Sequence, residues 1–517
     1  MNLLILVAGL FGTWLLGVTL CLALKWICGV RSSAKTSLFS AETAGQGILL
    51  GIASSGLLQL IWSMCGGPLG RPFSLMIAAV GFVLTTVHWQ QSRATNRAVN
   101  HRAHSKSVPT AKGSSQRALK KGASEETFPP PAPGVALIRV CKVLVGLLFL
   151  NLAIQTLLTP QRLWDERAIY GIKAAVIFED RSVNSPALLD PDFVQYHPQY
   201  PLLISLAEHH IYALLGAVDD RVSKILFPLM LLGGTLVFVG VLTPRIGDVA
   251  AWVGAVLLMT VPVLNFWEYG ALCGQADAPV AVYHGVAVLS LWAWISALQA
   301  SRENTHTAES AYSLLIGGLY TGLTVFVKDE GIAYLMVDAT LLAICSLVLL
   351  RKNGRQLVIS ALSLIAVLLC SIGPWLLHKR QLPTTGEMSY FSRLTPETLA
   401  AGVSSLPFIG RHLLHRLFGE ALIWGWQWWG VVLTALMFPL RTLRWSQLFL
   451  LGDLIGGISG MVVAGMVAPT TVYEHIPWSS HRFLMQLVPV AVLFIMTQWS
   501  VIDASESAEK SLEPSKI

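Results

Sequence analysis

Short polar motifs stand at the ends of several strongly apolar segments of this sequence. They are "WDER" at 164–167, "YHPQYP" at 196–201, "GQADAP" at 274–279, "VKDEG" at 327–331 and "SSHRF" at 479–483. A carboxylate in such a motif can accept a proton from a hydroxyl group, and a Lys or Arg can stabilise negative charge on a phosphate. Because ionisable groups near a membrane are costly, they usually face a protein interior or an aqueous cavity. The motifs therefore predict a polar cavity at one face of the membrane.

The elements that carry these motifs are predicted to be membrane helices. The chain of 517 residues is 54% hydrophobic and 13% charged, with a mean hydropathy of +0.61, which predicts an all-α polytopic membrane protein. The thirteen predicted spans are near residues 3–24, 46–65, 73–89, 135–158, 225–243, 249–267, 279–298, 312–327, 331–350, 357–377, 420–439, 446–467 and 483–501. The first lacks a preceding basic segment and a cleavage site, so it is predicted to be retained.

The loops indicate how the chain is oriented. Residues 90–134 are rich in Lys, Arg, Pro and Ser, which predicts a disordered basic linker in the cytoplasm. This places the N-terminus outside and the tail at 503–517 inside. The basic segment 378–419 then falls outside, so either this orientation is wrong or its cations bind an anionic partner there. Topology explains the net charge of +7 better than nucleic-acid binding does, and the seven Cys show no metal-ligand or disulfide spacing.

The first long outer loop, residues 159–224, is predicted to bear two juxtamembrane helices. One begins after "LWDER". The other is "PLLISLAEHHIYALLG" at 201–216, which is apolar but carries Glu208, His209 and His210 at its centre. Because this stretch is short for a span, it is predicted to lie along the outer leaflet.

The order of these motifs resembles that of the GT-C superfamily of integral-membrane glycosyltransferases. The likeness is to the family 39-like group, in particular its aminoarabinose transferase and protein O-mannosyltransferase branch. It covers about residues 135–350 and rests on "WDE", "HPQYPL", the "AD-P" pattern of "ADAP", and "KDEG". A catalytic core at 135–502 is the domain that the resemblance implies, with the three helices of residues 1–89 and the linker as additions to it.

The resemblance implies an enzyme that moves a sugar from a polyprenyl-phosphate carrier to an acceptor on the outer face of the membrane. Asp165 matches the family's catalytic base, and Glu166 would orient the base or the acceptor. A carboxylate can take the proton from an attacking hydroxyl while that oxygen displaces the lipid phosphate, a single displacement that inverts configuration. The acceptor, whether a lipid, a glycan or a protein, is left open, and a bacterial cytoplasmic membrane is favoured.

Six further residues are expected to bind substrate. The resemblance matches Asp277 to an acidic residue of the family's second outer motif and Arg482 to an Arg near the last span, where a guanidinium suits phosphate oxygens. The others are His197, Lys328, Glu330 and Arg411. Divalent metal dependence is left open, because the first outer loop has no DxD pattern except "DPD" at 190–192.

Several of these residues also have a purely structural interpretation. Asp165 and Asp277 could cap the helices that follow them, and a tight hairpin could explain "KDEG". Arg482 could anchor its helix at the membrane interface, and "WGWQWW" at 424–429 is more typical of an aromatic belt than of a sugar platform.

Two other functions remain open for the whole chain. A transporter or lipid flippase could use the same charges as a pathway, although no internal repeat is visible. An inactive scaffold of the same fold is the third alternative. Direct coupling to ATP is not expected, because the chain has no glycine-rich phosphate-binding loop.

Overall fold

The structure is a computed structural model that describes residues 2–30, 40–105, 133–265, 269–301, 307–384 and 390–499. Within these ranges the regular secondary structure is helical, so the all-α prediction is confirmed there. The chain is a multi-pass membrane protein by the length and hydropathy of its helices.

Four long helices come first: α1 (Asn2–Ile27), α2 (Ala41–Met64), α3 (Arg71–Ser105) and α4 (Pro133–Leu158). The next segment holds a π-helix (Asp165–Gly171) that runs into α5 (Ile172–Asp180), followed by α6 (Leu203–Leu215). The central helices are α7 (Leu226–Ile246), α8 (Asp248–Thr260), α9 (Asp277–Ala300), α10 (Ala308–Val327), α11 (Gly331–Leu349) and α12 (Gly354–Lys379). The last are α13 (Leu406–Gly419), α14 (Gln427–Met437), α15 (Trp445–Val467), α16 (Val472–Gln486) and α17 (Val488–Trp499). Shorter helical segments lie between them at Pro186–Leu189, Pro191–Tyr196, Asp220–Ser223, Pro262–Asn265, Phe391–Arg393, Pro396–Gly402, Val403–Ser405, Ala421–Trp424 and Pro439–Thr442.

The described residues contain fewer full-length membrane helices than the thirteen spans predicted. Ten helices in the described residues are long and apolar enough to cross a membrane, or eleven if α16 and α17, which are bent by 43°, form one span. The predicted spans at 249–267 and 420–439 contain helices of only 13 and 11 residues. At about 1.5 Å per residue such helices are shorter than the roughly 30 Å of a bilayer core. Helix α8 ends before Pro262, and α14 lies between Gly425, with its positive φ, and Pro439.

Helix α2, one of the three N-terminal helices, shares one core with the later helices of the protein. Tyr283 Oη of α9 donates a hydrogen bond to the carbonyl oxygen of Leu49 at 2.9 Å, and Tyr320 Oη of α10 donates to Gln46 Oε1 at 2.6 Å. A Cβ atom at Gly45 would lie 2.4 Å from the carbonyl oxygen of Gly233, so α2 and α7 need a glycine at this crossing. Helix α2 is therefore an internal element of the bundle.

Part of the predicted linker can be compared with the structure. Helix α3 continues to Ser105, into the segment predicted to be disordered, and α4 begins at Pro133. The remainder, residues 106–132, and the predicted cytoplasmic tail at 503–517 lie outside the described residues.

Helix α6 is the stretch predicted to lie along the outer leaflet, and that prediction is wrong. Its residues Leu203 to Leu214 are all buried, including Glu208, His209 and His210. The helix packs against α1, α2 and α5, so protein surrounds it where lipid was expected. Hydropathy cannot separate these two environments, because both favour apolar side chains.

Candidate active site

Four separate parts of the chain bring charged side chains together at one end of the bundle. Asp165 is the first residue of the π-helix, and Asp277 is the first residue of α9. Lys328 and Glu330 lie in the turn that joins α10 to α11, and Arg482 belongs to α16. Helix α9 packs against α10, α11 and α16, which fixes these ends beside one another. We call these five residues the ion-pair network.

Arg482 joins the two aspartates of the network. Its Nη2 atom lies 2.6 Å from Asp165 Oδ2 and 2.9 Å from Asp277 Oδ2, and its Nε atom donates to Asp277 Oδ2 at 3.0 Å. The ring of Tyr269 lies 5.3 Å from the guanidinium carbon. One planar guanidinium therefore spans two carboxylates, as its fixed fork of donors allows.

Lys328 and Gln486 hold the other side of Asp277. Lys328 Nζ lies 2.8 Å from Asp277 Oδ1 and 2.8 Å from Glu330 Oε1. Gln486 Nε2 donates to Asp277 Oδ1 at 3.1 Å. Asp277 thus accepts hydrogen bonds from three side chains, and its charge is compensated inside the protein.

The network is only partly accessible to solvent. The side chains of Asp277 and Lys328 are 0% and 2% exposed, whereas those of Asp165, Glu330 and Arg482 are 20%, 20% and 23% exposed. The buried pair forms its inner part, and a ligand from the accessible side would meet Asp165, Glu330 and Arg482.

Three carboxylates and two cations leave the network with one carboxylate in excess. Burial and the nearby Arg482 act against the charged form of Lys328, but Asp277 and Glu330 outweigh them and raise the pKa of this amine. Lys328 therefore remains a cation at neutral pH. The excess negative charge lies on the accessible side, where a carboxylate can receive a proton.

The structural interpretations of the aspartates can be compared with these contacts. The N-cap residues of the π-helix and of α9 are Trp164 and Ala276, and neither helix has a side-chain cap. The carboxylates of Asp165 and Asp277 make ion pairs instead, so the capping interpretation is wrong for both.

The hairpin interpretation of "KDEG" fits Gly331. Its N–H donates to the carbonyl oxygen of Lys328 at 2.9 Å, and a Cβ atom there would lie 2.5 Å from the carbonyl of Thr324. The tight turn needs the glycine, and it is the same turn that carries Lys328 and Glu330 into the network.

Glu166, His197 and Arg411 have other surroundings. Glu166 is 2% exposed, and its Oε2 atom accepts a hydrogen bond from the N–H of Arg162 at 2.6 Å. This bond connects the loop before the π-helix to the helix itself. His197 has a positive φ of 51°, and its ring stacks on Tyr200 at 5.1 Å. Arg411 is exposed on α13 and has no ion pair with a described residue.

Sequence reasoning missed three residues near the site. Lys379, at the end of α12, contacts Asp329 Oδ1 and Oδ2 at 2.8 and 2.9 Å. Gln486 donates a side-chain hydrogen bond to Asp277. Lys173, on α5, donates to the carbonyl oxygens of His197 and Tyr200 at 2.6 and 3.3 Å. A single Lys within the apolar run "AIYGIKAAVIF" was the available signal for Lys173.

The amine of Lys173 anchors the segment of the "HPQYP" motif through these two hydrogen bonds. Complete burial lowers the pKa of its amine to about 7. Because an unfolded Lys has a pKa of about 10.4, the unfolded chain binds more protons than the folded chain between about pH 7 and pH 10. Stability is therefore expected to rise with pH in this window, and below about pH 7 the contribution of Lys173 is constant.

Lys173→Met is expected to remove this rise. The free energy of unfolding of the wild type should increase relative to that of the variant by up to about 1.4 kcal/mol per pH unit above pH 7. Denaturant unfolding in detergent at pH 6 to 9 measures the difference, with the exposed Lys352→Met as the control. Parallel curves for wild type and Lys173→Met would contradict the prediction.

Comparisons with protein-family models, with curated proteins and with solved structures found no match to this chain. The protein is therefore a polytopic helical membrane protein with a partly buried ion-pair network at one end of its bundle.

Proposed function

We propose that this protein is a glycosyltransferase that moves a sugar from a polyprenyl-phosphate donor to a hydroxyl acceptor at the membrane surface. The observation that carries the proposal is the contact between Asp165 and Arg482, which puts a candidate base beside a candidate phosphate ligand at 2.6 Å. Both side chains are partly exposed, and Arg482 is also held by the fully buried carboxylate of Asp277.

The proposed reaction is a single displacement. The acceptor hydroxyl gives its proton to Asp165, and its oxygen forms a bond to the anomeric carbon of the sugar. The bond from that carbon to the phosphate oxygen breaks, and the electron pair leaves with the polyprenyl phosphate. Attack opposite the leaving group inverts the configuration of the anomeric carbon.

Arg482 would bind the phosphate of the donor. Since a guanidinium can bind two phosphate oxygens at once, a phosphate entering from the open side would compete with Asp165 for Nη2 of Arg482. This exchange would release Asp165 at the moment when a donor is present. The Asp277 and Lys328 pair would keep Arg482 in place during the exchange, since Asp277 also contacts Nε.

The proposed location is a bacterial cytoplasmic membrane, with the site on the outer face. Arg71 Nη2 at the start of α3 donates to Asn2 Oδ1 at 3.1 Å, and the N–H of Leu69 donates to the carbonyl oxygen of Arg181 at 2.7 Å. The N-terminus thus lies at the same end of the bundle as the loop that follows α5. The proposed orientation puts both outside, which agrees with a basic cytoplasmic segment after α3.

A transfer assay with the purified full-length protein tests the proposal. Polyprenyl phosphates carrying different radiolabelled sugars are incubated with the protein in nanodiscs and with membrane extracts, and label is measured in lipid, glycan and protein fractions. We expect transfer from at least one donor that depends on the protein. If labelled donor instead crosses the bilayer of proteoliposomes unchanged, while no fraction gains label, the protein is a flippase and the proposal is wrong.

A further inference from the structure

A second group of ionisable side chains lies deep in the bundle, away from the ends of the helices. His284 of α9, Asp338 of α11 and Asp453 of α15 offer ligand atoms that all lie within 4.8 Å of one another. The three residues are 0%, 1% and 0% exposed. His284 follows Asp277 by two turns of α9, about 10 Å further into the bundle. This cluster is therefore separate from the ion-pair network.

Several polar atoms of the cluster are left without a hydrogen-bond partner. They are Asp338 Oδ1 and Oδ2, Asp453 Oδ2 and His284 Nδ1. His284 Nε2 lies 3.3 Å from Asp453 Oδ1, and the ring of Tyr334 stacks on the imidazole at 4.0 Å. Two carboxyl groups that face each other in an apolar interior are very costly as anions, so something must compensate them.

We propose that His284, Asp338 and Asp453 bind one divalent transition-metal ion of the zinc class. Two carboxylates cancel the charge of a divalent ion, and the imidazole nitrogen favours a transition metal over calcium or magnesium. The unpartnered oxygens of Asp338 supply the third ligand from a different helix.

The spacing of the ligands agrees with such an ion. Tetrahedral ligands at about 2.0–2.2 Å from zinc lie about 3.3–3.6 Å apart, close to the 3.3 Å between His284 Nε2 and Asp453 Oδ1. All the ligand atoms lie within 4.8 Å of one another, so binding the ion would require any pair wider than about 3.6 Å to move closer. Three protein ligands leave a fourth position of a tetrahedral ion, which a water molecule would have to fill.

The ion would join three helices at one point. Helices α9, α11 and α15 pack pairwise, and each supplies one ligand. Helices α9 and α11 also begin at Asp277 and directly after Glu330, so a metal at this depth would hold the two helix ends that build the ion-pair network. The proposed role is structural and does not depend on the proposed function.

Metal analysis of the full-length protein tests this site. The protein is purified without a histidine tag, loaded with zinc, freed of unbound ions and analysed by mass spectrometry. We expect about one zinc per chain in the wild type and in Asp165→Asn, and affinity at least about 100-fold weaker in Asp338→Asn and Asp453→Asn. Zinc should also raise the melting temperature of the wild type but not that of Asp338→Asn.

Cobalt provides a readout that needs no variant. Cobalt(II) in the wild type should give the intense visible absorption of a tetrahedral site, and zinc should remove it. If the wild type retains no zinc, cobalt, iron or manganese, the proposal is wrong, and the carboxyl groups share a proton instead. Retention of zinc by the double variant Asp338→Asn/Asp453→Asn, or its loss in Asp165→Asn alone, would also overturn it.

Discussion

Replacing Asp165 by asparagine is expected to lower the rate of sugar transfer by about 10²–10⁴-fold, the usual contribution of a positioned general base. Asparagine has nearly the same shape as aspartate but does not take up a proton at neutral pH. Its amide oxygen can still accept a hydrogen bond from Arg482, which lies 2.6 Å from the present carboxylate. The loss should therefore fall on the catalytic rate and not on folding.

A matched control is available in the same loop. Asp192 is exposed, and Asp192→Asn removes one negative charge from the segment without touching the ion-pair network. Initial transfer rates are measured for both variants at equal folded yield. Loss of activity in Asp165→Asn alone supports the base, whereas equal rates for all three proteins would exclude Asp165 from the reaction.

The meeting of the network residues was predicted from thirteen alternating spans, with the segments of α8 and α14 counted among them. That count put the end of α4, the start of α9 and the turn after α10 on one face, and the structure brings Asp165, Asp277 and Lys328 together. Their division into buried and accessible residues could not be predicted. It depends on the π-helix and on Gln486, which has no recognisable motif. The catalytic and binding roles of these residues stay predictions.

The errors in the predicted fold have a common physical cause. Apolar composition reports removal from water, and it does not say whether lipid or protein replaces the water. Helix α6 was therefore assigned to the lipid interface although it is buried in protein, and residues 249–267 were predicted as one continuous helix although the longest helix there, α8, has 13 residues. Hydropathy is averaged over a whole span, and one carboxylate hardly changes that mean. Asp338 and Asp453 were therefore not recognised from the sequence.

Asp277→Asn is expected to cause the largest loss of stability in the site. The carboxylate is 0% exposed and compensates Lys328, which is 2% exposed, as well as Arg482. Removing one partner of a buried ion pair costs about 3–5 kcal/mol, because the remaining charge stays buried. The asparagine Nδ2 group would also face the donors of Arg482 or Lys328. Detergent-based denaturation should show this decrease in the free energy of unfolding.

A neighbouring ion pair distinguishes this effect from a general loss of charge. Asp329 and Lys379 make an equally short contact of 2.8 Å, but their side chains are 25% and 24% exposed, so Asp329→Asn is expected to cost no more than about 1 kcal/mol. Adding Lys328→Met to Asp277→Asn should recover part of the lost stability, because it removes a buried cation that only the partly exposed Glu330 would still compensate. Simple addition of the two single effects would mean that the buried charges do not depend on each other. In that case Asp277 could not be what holds Lys328 and Arg482 in position, and the inner part of the proposed site would need a different explanation.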